Sequence, residues 1–259
     1  MRKVFAAGNW KMNNGIAETE DFMKGFGALL ENDDKVFRAV STKKLEIAIF
    51  PPFLSLQKAM ECKPDPLFIV GAQNVNDNES GAFTGEVSIP MLKELGIKYA
   101  IIGHSERRHI FGETNEFLNK KLLAAVAADI IPVYCVGELF EEREAGKTFD
   151  VIREQLVAGM KDIKASADKF IIAYEPVWAI GTGKTATPED AEEVCKFVRE
   201  TVKELYGEEF AENVLILYGG SVKPANTADI MAQPDIDGVL VGGASLKYGS
   251  FIEICRAAI

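Results

Sequence analysis

"VFAAGNWKMNNG" (residues 4–15) opens with four apolar residues and then turns polar. Val4 to Ala7 reads as a strand buried on both faces, since no polar residue interrupts it. The segment after the strand separates two ways of covering a parallel sheet with helices. A doubly wound dinucleotide-binding sheet would most naturally carry a G-x-G-x-x-G fingerprint directly after its first strand. Here "GNWKMNNG" (8–15) takes that place and lacks the pattern. The apolar run is also too short for the core of a secretory signal, and polar Asn9 and Lys11 break it off.

Working outward, seven more runs have the character of the first: "LEIAIF" (45–50), "LFIVGA" (67–72), "YAII" (99–102), "IIPVYCV" (130–136), "FIIAY" (170–174), "NVLILY" (213–218) and "GVLV" (238–241). They are rich in Val, Ile and aromatic residues and mostly continuous in hydrophobicity, as parallel strands buried on both faces are. Helical patterns lie between them. The clearest follows "TPED" (187–190): Thr187 as N-cap, Pro188 at the first helical position, Glu189 and Asp190 against the helix dipole. Ala191, Val194, Cys195, Val198, Val202 and Leu205 then form a stripe at helical spacing, and Gly207 is the stop. Residues 115–128 and 149–160 also read as helices, as does "SVKPANTADIM" (221–231) in part. Eight buried strands alternating with helices, and no Pro/Ser/Gly-rich linker, predict a single (β/α)8 barrel over residues 1–259. Such a barrel predicts chemistry in the segments just after the strands.

The bulk properties narrow the function. The 259 residues are 47% hydrophobic, and no apolar run approaches the roughly 18 residues of a membrane span. That predicts no membrane partner, and the formal net charge of −10, with no basic patch, predicts no nucleic-acid partner. Cys62, Cys135, Cys195 and Cys255 form no C-x-x-C pair, and the two histidines, His104 and His109, lie far from them. This predicts reduced thiols, no structural zinc and a cytoplasmic protein.

The strand ends carry the reactive residues. Asn9 and Lys11 are two apart, so an extended chain points both the same way. "GHSERR" (103–108) follows the fourth strand with His104 and Glu106. Glu175 precedes Pro176, which pushes it toward extended geometry at the end of the sixth strand. "YGGS" (218–221) and "GGAS" (242–245) follow the last two. Each has a plain structural explanation: Lys11 a solvated charge, His104 a satisfied core residue, Glu175 half of an ion pair, the glycines turns. Their convergence on one face of one fold favours a site. Gly-Gly pairs and helix N-termini near the seventh and eighth strands suit a phosphate group. "EPVWAIGTGKTA" (175–186) contains a Gly-Lys-Thr, but a nucleotide-binding P-loop needs glycine where Trp178 stands.

Five stretches, "NWKMN" (9–13), "GHSERR" (103–108), "AYEPVWAIGTGK" (173–184), "YGGSVKP" (218–224) and "LVGGASL" (240–246), resemble the motifs of the triosephosphate isomerase family in order and separation. The resemblance runs the length of the chain. It implies interconversion of dihydroxyacetone phosphate and D-glyceraldehyde 3-phosphate, in glycolysis and gluconeogenesis, without cofactor or metal. It implies Glu175 as the base, His104 as a neutral electrophile, Lys11 as the fixed positive charge and Asn9 as a further hydrogen-bond donor. Ser105 and Glu106 stand beside this group. Backbone amides of Gly181, Ser221, Gly242 and Gly243 are implied for the phosphate. Residues 176–178 and 184–186 would be the hinges, and 179–183 the tip, of a lid that excludes water. Cys135 reads as core packing.

The same resemblance implies a homodimer. Its loop "QNVNDNESGAFTGE" (73–86) would bring Thr84 near Asn9 and Lys11 of the partner subunit and pair Glu86 with Arg107 of the partner subunit. The chain's extra length falls at 31–44, away from the motifs. Three alternatives stay open on the residues alone. A Schiff-base aldolase would want lysine where Glu175 stands, and a metal-dependent epimerase would want more inward histidines. A phosphate-binding barrel without activity is the third.

Overall fold

The computed structural model describes residues 2–179 and 186–259. Eight parallel strands, β1 Val4–Asn9, β2 Leu45–Phe50, β3 Ile69–Val70, β4 Tyr99–Ile102, β5 Ile131–Val136, β6 Ile171–Tyr174, β7 Leu215–Tyr218 and β8 Gly238–Val241, are hydrogen-bonded in the order β3-β2-β1-β8-β7-β6-β5-β4. Ala72 closes the ring. Its N–H donates to Tyr99 O at 2.9 Å and its carbonyl accepts from Ile101 N–H at 2.8 Å, so the open edges meet. The result is a (β/α)8 barrel.

Twelve α-helices accompany the strands among the described residues: α1 Ile16–Glu31, α2 Asp34–Ser41, α3 Phe53–Glu61, α4 Ile89–Glu94, α5 Ser105–His109, α6 Asn115–Ala127, α7 Phe140–Glu144, α8 Thr148–Gly159, α9 Pro188–Tyr206, α10 Glu208–Asn213, α11 Pro224–Met231 and α12 Tyr248–Ala257. None is long and apolar enough to cross a membrane.

The two-sided burial expected of the strands is present. One set of strand residues, including Phe5, Ala7, Phe50, Ile101, Val133, Ile171, Leu217 and Leu240, fills the barrel interior. Their neighbours, such as Ala6, Ile47, Ile49, Ile102 and Ile172, face the helices and join a larger core with Phe22, Phe26, Leu118, Leu156 and Val198. Alternate side chains thus enter two different cores, which is why the strands show no polar face.

Helix α9 begins as its sequence indicates. Thr187 accepts from Asp190 N–H at 3.1 Å, and the Asp190 carboxylate accepts from Thr187 N–H at 3.0 Å, a reciprocal cap with Pro188 in the first turn. Gly207 ends it at φ 86°. The same glycine starts α10, which the apolar run at 213–218 conceals; β7 begins only at Leu215. Strand β3 is also shorter than the run at 67–72, because Phe68 turns back on Asp65 and only Ile69 and Val70 pair with β2.

Candidate active site

The carboxyl ends of the strands surround a cavity of about 310 Å³. Asn9, Lys11, His104, Glu175, Ser221, Gly242 and Gly243 all line it, with Gly219, Gly220 and Lys223. Gly181 and the lid segment around it, 180–185, lie outside the described residues.

Lys11 arrives by a different route from the extended one. Strand β1 ends at Asn9, and Lys11 has φ 53°, a left-handed conformation that non-glycine residues seldom adopt. Asn9 Oδ1 accepts from Lys11 N–H at 3.0 Å and holds this turn. Gln73 donates to Lys11 O at 2.7 Å and to Phe50 O at 2.8 Å, tying the loop to β2. The Lys11 ammonium sits 2.9 Å from Glu106 Oε1.

His104 caps α5: its Nδ1 accepts from Glu106 N–H at 3.2 Å. That leaves the proton on Nε2, which donates to Glu175 Oε1 at 2.9 Å. Burial disfavours the imidazolium, whereas the Glu175 carboxylate alongside favours it and moves the pKa upward. Once another acceptor takes the place of Glu175, that upward pull weakens. Burial and Lys11 then favour the neutral ring against the Glu106 carboxylate, with the Glu106 amide occupying Nδ1.

Glu175 is 2% exposed. Its N–H donates to Val136 O at 2.8 Å, and Gly219 N–H donates to Tyr174 O at 2.7 Å, so neighbouring strands lock its backbone. Oε2 accepts from Ser105 N–H at 3.0 Å. Burial alone would raise its pKa, but His104, the Ser105 amide and Lys11 outweigh it and hold the carboxyl below its usual range. A buried carboxylate, an imidazole N–H and an ammonium thus converge on one space. They can move a proton on a small molecule and stabilise the negative charge that results.

Several supporting residues have no signature in the sequence. Glu138, just after β5, is fully buried; its Oε1 accepts from Trp178 Nε1–H at 2.8 Å and Tyr174 O–H at 3.1 Å. Arg143 stacks over the Trp178 ring at 4.6 Å and pairs with Asp190 at 2.8 Å. Gln155, on α8, donates to Gly137 O at 2.9 Å and accepts from Gly137 N–H at 2.8 Å, fixing the chain that abuts Glu175. The Cys135 thiol is buried in the barrel interior; burial and then Glu175 push its pKa well up. Among the described residues, no group of three or more His, Cys, Asp or Glu is arranged to hold a metal ion.

Comparison with known proteins adds a separate observation. The profile of the family described as Triosephosphate isomerase matches residues 4–258. The chain is 48% identical over 260 residues to the triosephosphate isomerase of Carboxydothermus hydrogenoformans, covering 100% of both chains. It is 49% identical over 258 residues to that of Dictyoglomus turgidum, covering 99% of this chain and 100% of the relative. It is 49% identical over 255 residues to that of Moorella thermoacetica, covering 98% of each.

Proposed function

The chain belongs to the triosephosphate isomerase family, and from that premise we propose that it interconverts dihydroxyacetone phosphate and D-glyceraldehyde 3-phosphate with Glu175 as the proton carrier. The convergence of Glu175, His104 and Lys11 in one cavity carries this reading. The substrate carbonyl oxygen takes the place of Glu175 as acceptor of the His104 Nε2 proton. The released carboxylate removes a proton from C1, and the C=O electron pair moves onto oxygen to give an enediolate. Lys11 and His104 stabilise that charge, with Asn9 as a further donor. A proton passes from O1 to O2 with His104 Nε2 as the carrier, and Glu175 then returns its proton to C2 as the O1 electron pair forms the aldehyde C=O. The amides of Ser221, Gly242 and Gly243, with Gly181, hold the phosphate. An alanine Cβ at Gly243 would meet nothing within 4 Å, so packing does not demand glycine there and the backbone stays open to a ligand.

In this reading residues 1–259 act as one catalytic unit in glycolysis and gluconeogenesis, working in the cytoplasm, where the four free cysteines stay reduced. The enzyme is a homodimer. Met12, Leu54, Phe83, Ile110 and Phe111 are exposed and apolar, and they follow the four adjoining strands β1 to β4. The partner subunit covers them, with Thr84 near Asn9 and Lys11 of the partner subunit. Glu86 accepts from Asn76 at 2.7 Å, and Arg107 donates to Glu113 at 2.9 Å; the Glu86 pairing with Arg107 of the partner subunit adds to these. A single monomeric species in sedimentation at micromolar concentration would contradict the dimer.

The test of the chemistry is turnover of dihydroxyacetone phosphate in D2O, followed by proton NMR. Wild type should give glyceraldehyde 3-phosphate deuterated at C2, and Glu175→Gln should lose about a thousandfold in kcat. A folded Glu175→Gln variant with undiminished turnover would remove Glu175 from the mechanism.

A further inference from the structure

A second cavity, of about 820 Å³, is bordered by the start of β1, by α2 and by the turn that leads into β2. It faces the amino ends of the strands, whereas the site above lies at their carboxyl ends. Arg2, Lys3, Lys35, Arg38, Lys43 and Lys44 line it together with Ile259, against one side-chain carboxylate, Asp34. Such a concentration of cations stands out in a chain of formal net charge −10.

Three of the six are already engaged. Arg2 donates to Asp237 and to Pro234 O at 2.8 Å, Lys3 pairs with Glu46 at 2.7 Å, and Lys35 donates to Arg256 O at 3.1 Å. Arg38, Lys43 and Lys44 have no side-chain hydrogen bond or ion pair to any described residue. The backbone brings the last two together. Lys43 N–H donates to Val40 O and Lys44 N–H to Ala39 O, both at 2.9 Å, closing α2 with a Schellman turn. That turn puts Lys43 at φ 57°, a position usually held by glycine. Of the five non-glycine residues with positive φ among the described residues, three are Asn or Asp, and the others are Lys11 in the first cavity and Lys43 here. Cations at a helix C-terminus complement its dipole, which accounts for Arg38 in the last turn of α2. It does not account for Lys3 on another element, nor for a lysine in place of glycine.

We propose that this cavity binds a small oligophosphate anion, the size of inorganic tripolyphosphate or the phosphate chain of a nucleotide. The unpaired Arg38 guanidinium offers a planar fork to a phosphoryl group, and Lys43 and Lys44 supply point charges for its neighbours. Three unpaired cations beside the Lys3–Glu46 pair suit a ligand with at least three negative charges. The cavity has room for a ligand of that mass and is open to solvent, with Arg38, Lys43 and Lys44 exposed. An anion there also relieves the mutual repulsion of the cations.

The test is calorimetric titration at low ionic strength with sodium tripolyphosphate, ATP without magnesium, and citrate. The proteins are wild type, the triple variant Arg38→Ala/Lys43→Ala/Lys44→Ala, and a triple Lys120→Ala/Lys161→Ala/Lys196→Ala that loses the same charge outside any cavity described. The single variants accompany the first triple, so a folding failure there leaves the test intact. Wild type and the control triple should bind tripolyphosphate alike. The cavity triple should bind at least about tenfold more weakly, and each single variant should show part of that loss, declining with added salt. Tighter binding of ATP than of tripolyphosphate would assign the site to a nucleotide; the reverse order would assign it to inorganic oligophosphate. Equal binding by all three proteins, absence of binding to wild type, or citrate binding as tightly as tripolyphosphate would each overturn the proposal.

Discussion

Replacing Gly137 by alanine tests whether the position of Glu175 is set from behind by the chain after β5. A Cβ at Gly137 would lie 1.8 Å from the Glu175 carbonyl oxygen and 2.8 Å from its carbonyl carbon. Gln155 holds Gly137 through both its N–H and its C=O, at 2.8 and 2.9 Å, so the displacement falls on Glu175. Real Cβ contacts essentially never fall under 3.0 Å. Reaching that limit from 1.8 Å parts the two backbones by about 1.2 Å, and a misplacement near 1 Å costs about a hundredfold in rate. Gly137→Ala should therefore lose about two orders of magnitude in kcat. The overpacking should also cost about 1–3 kcal/mol of stability. Steady-state rates in both directions measure the first, and urea unfolding the second. Gly219→Ala is a milder companion: its Cβ would meet Glu175 Cγ at 2.9 Å and Tyr174 O at 3.2 Å, so only tenths of an ångström must be found. Its activity should fall between wild type and Gly137→Ala. Gly249→Ala, whose Cβ meets nothing within 4 Å, should match wild type. A folded Gly137→Ala enzyme with kcat within about twofold of wild type would refute the argument that a shift of this size misplaces the base.

Burial and charge set three other expectations. Arg199, in α9, pairs with Asp235 at 2.6 Å and Asp237 at 2.7 Å and donates to Ala211 O at 2.6 Å; Arg199→Ala should cost about 1–3 kcal/mol in urea unfolding, because Ala211 O and Asp237 lose a charged donor while Asp237 keeps Arg2. Cys62 is half-buried and the other three cysteines are buried, so a thiol reagent should label one thiol in the native protein and all four after denaturation. The folded pKa of Glu175 lies below its unfolded value, so its stabilising contribution is full above the unfolded glutamate pKa of about 4.3 and is lost as pH falls through the folded value. Glu175→Gln should accordingly flatten the acid limb of unfolding midpoint against pH, and coincident limbs would refute that linkage.

Local signals make much of the fold legible. Strands β1, β2, β4 and β8 coincide closely with their apolar runs because both faces of each are buried, so hydrophobicity persists residue after residue. Helix α9 is readable at both ends, since a Thr-Pro start and a glycine stop act within a few residues of themselves. The true extent of β3 and the presence of α10 escape such signals, because apolar composition there serves packing without continuous strand pairing.

For the site, the sequence by itself placed the reactive groups after strands, since a reactive carboxylate, histidine or lysine interrupts an apolar pattern visibly. It determined which residue types were present and their order along the chain. Only the tertiary structure decided how they meet. Lys11 reaches the cavity through a left-handed turn, and Glu138, Gln155 and Arg143 act on residues between 18 and 47 positions away. The basic cavity gathers residues from the first few positions, from 34–44 and from Ile259. Barrel closure sets these distances, because each contact depends on the register of eight strands at once and no local pattern encodes that sum.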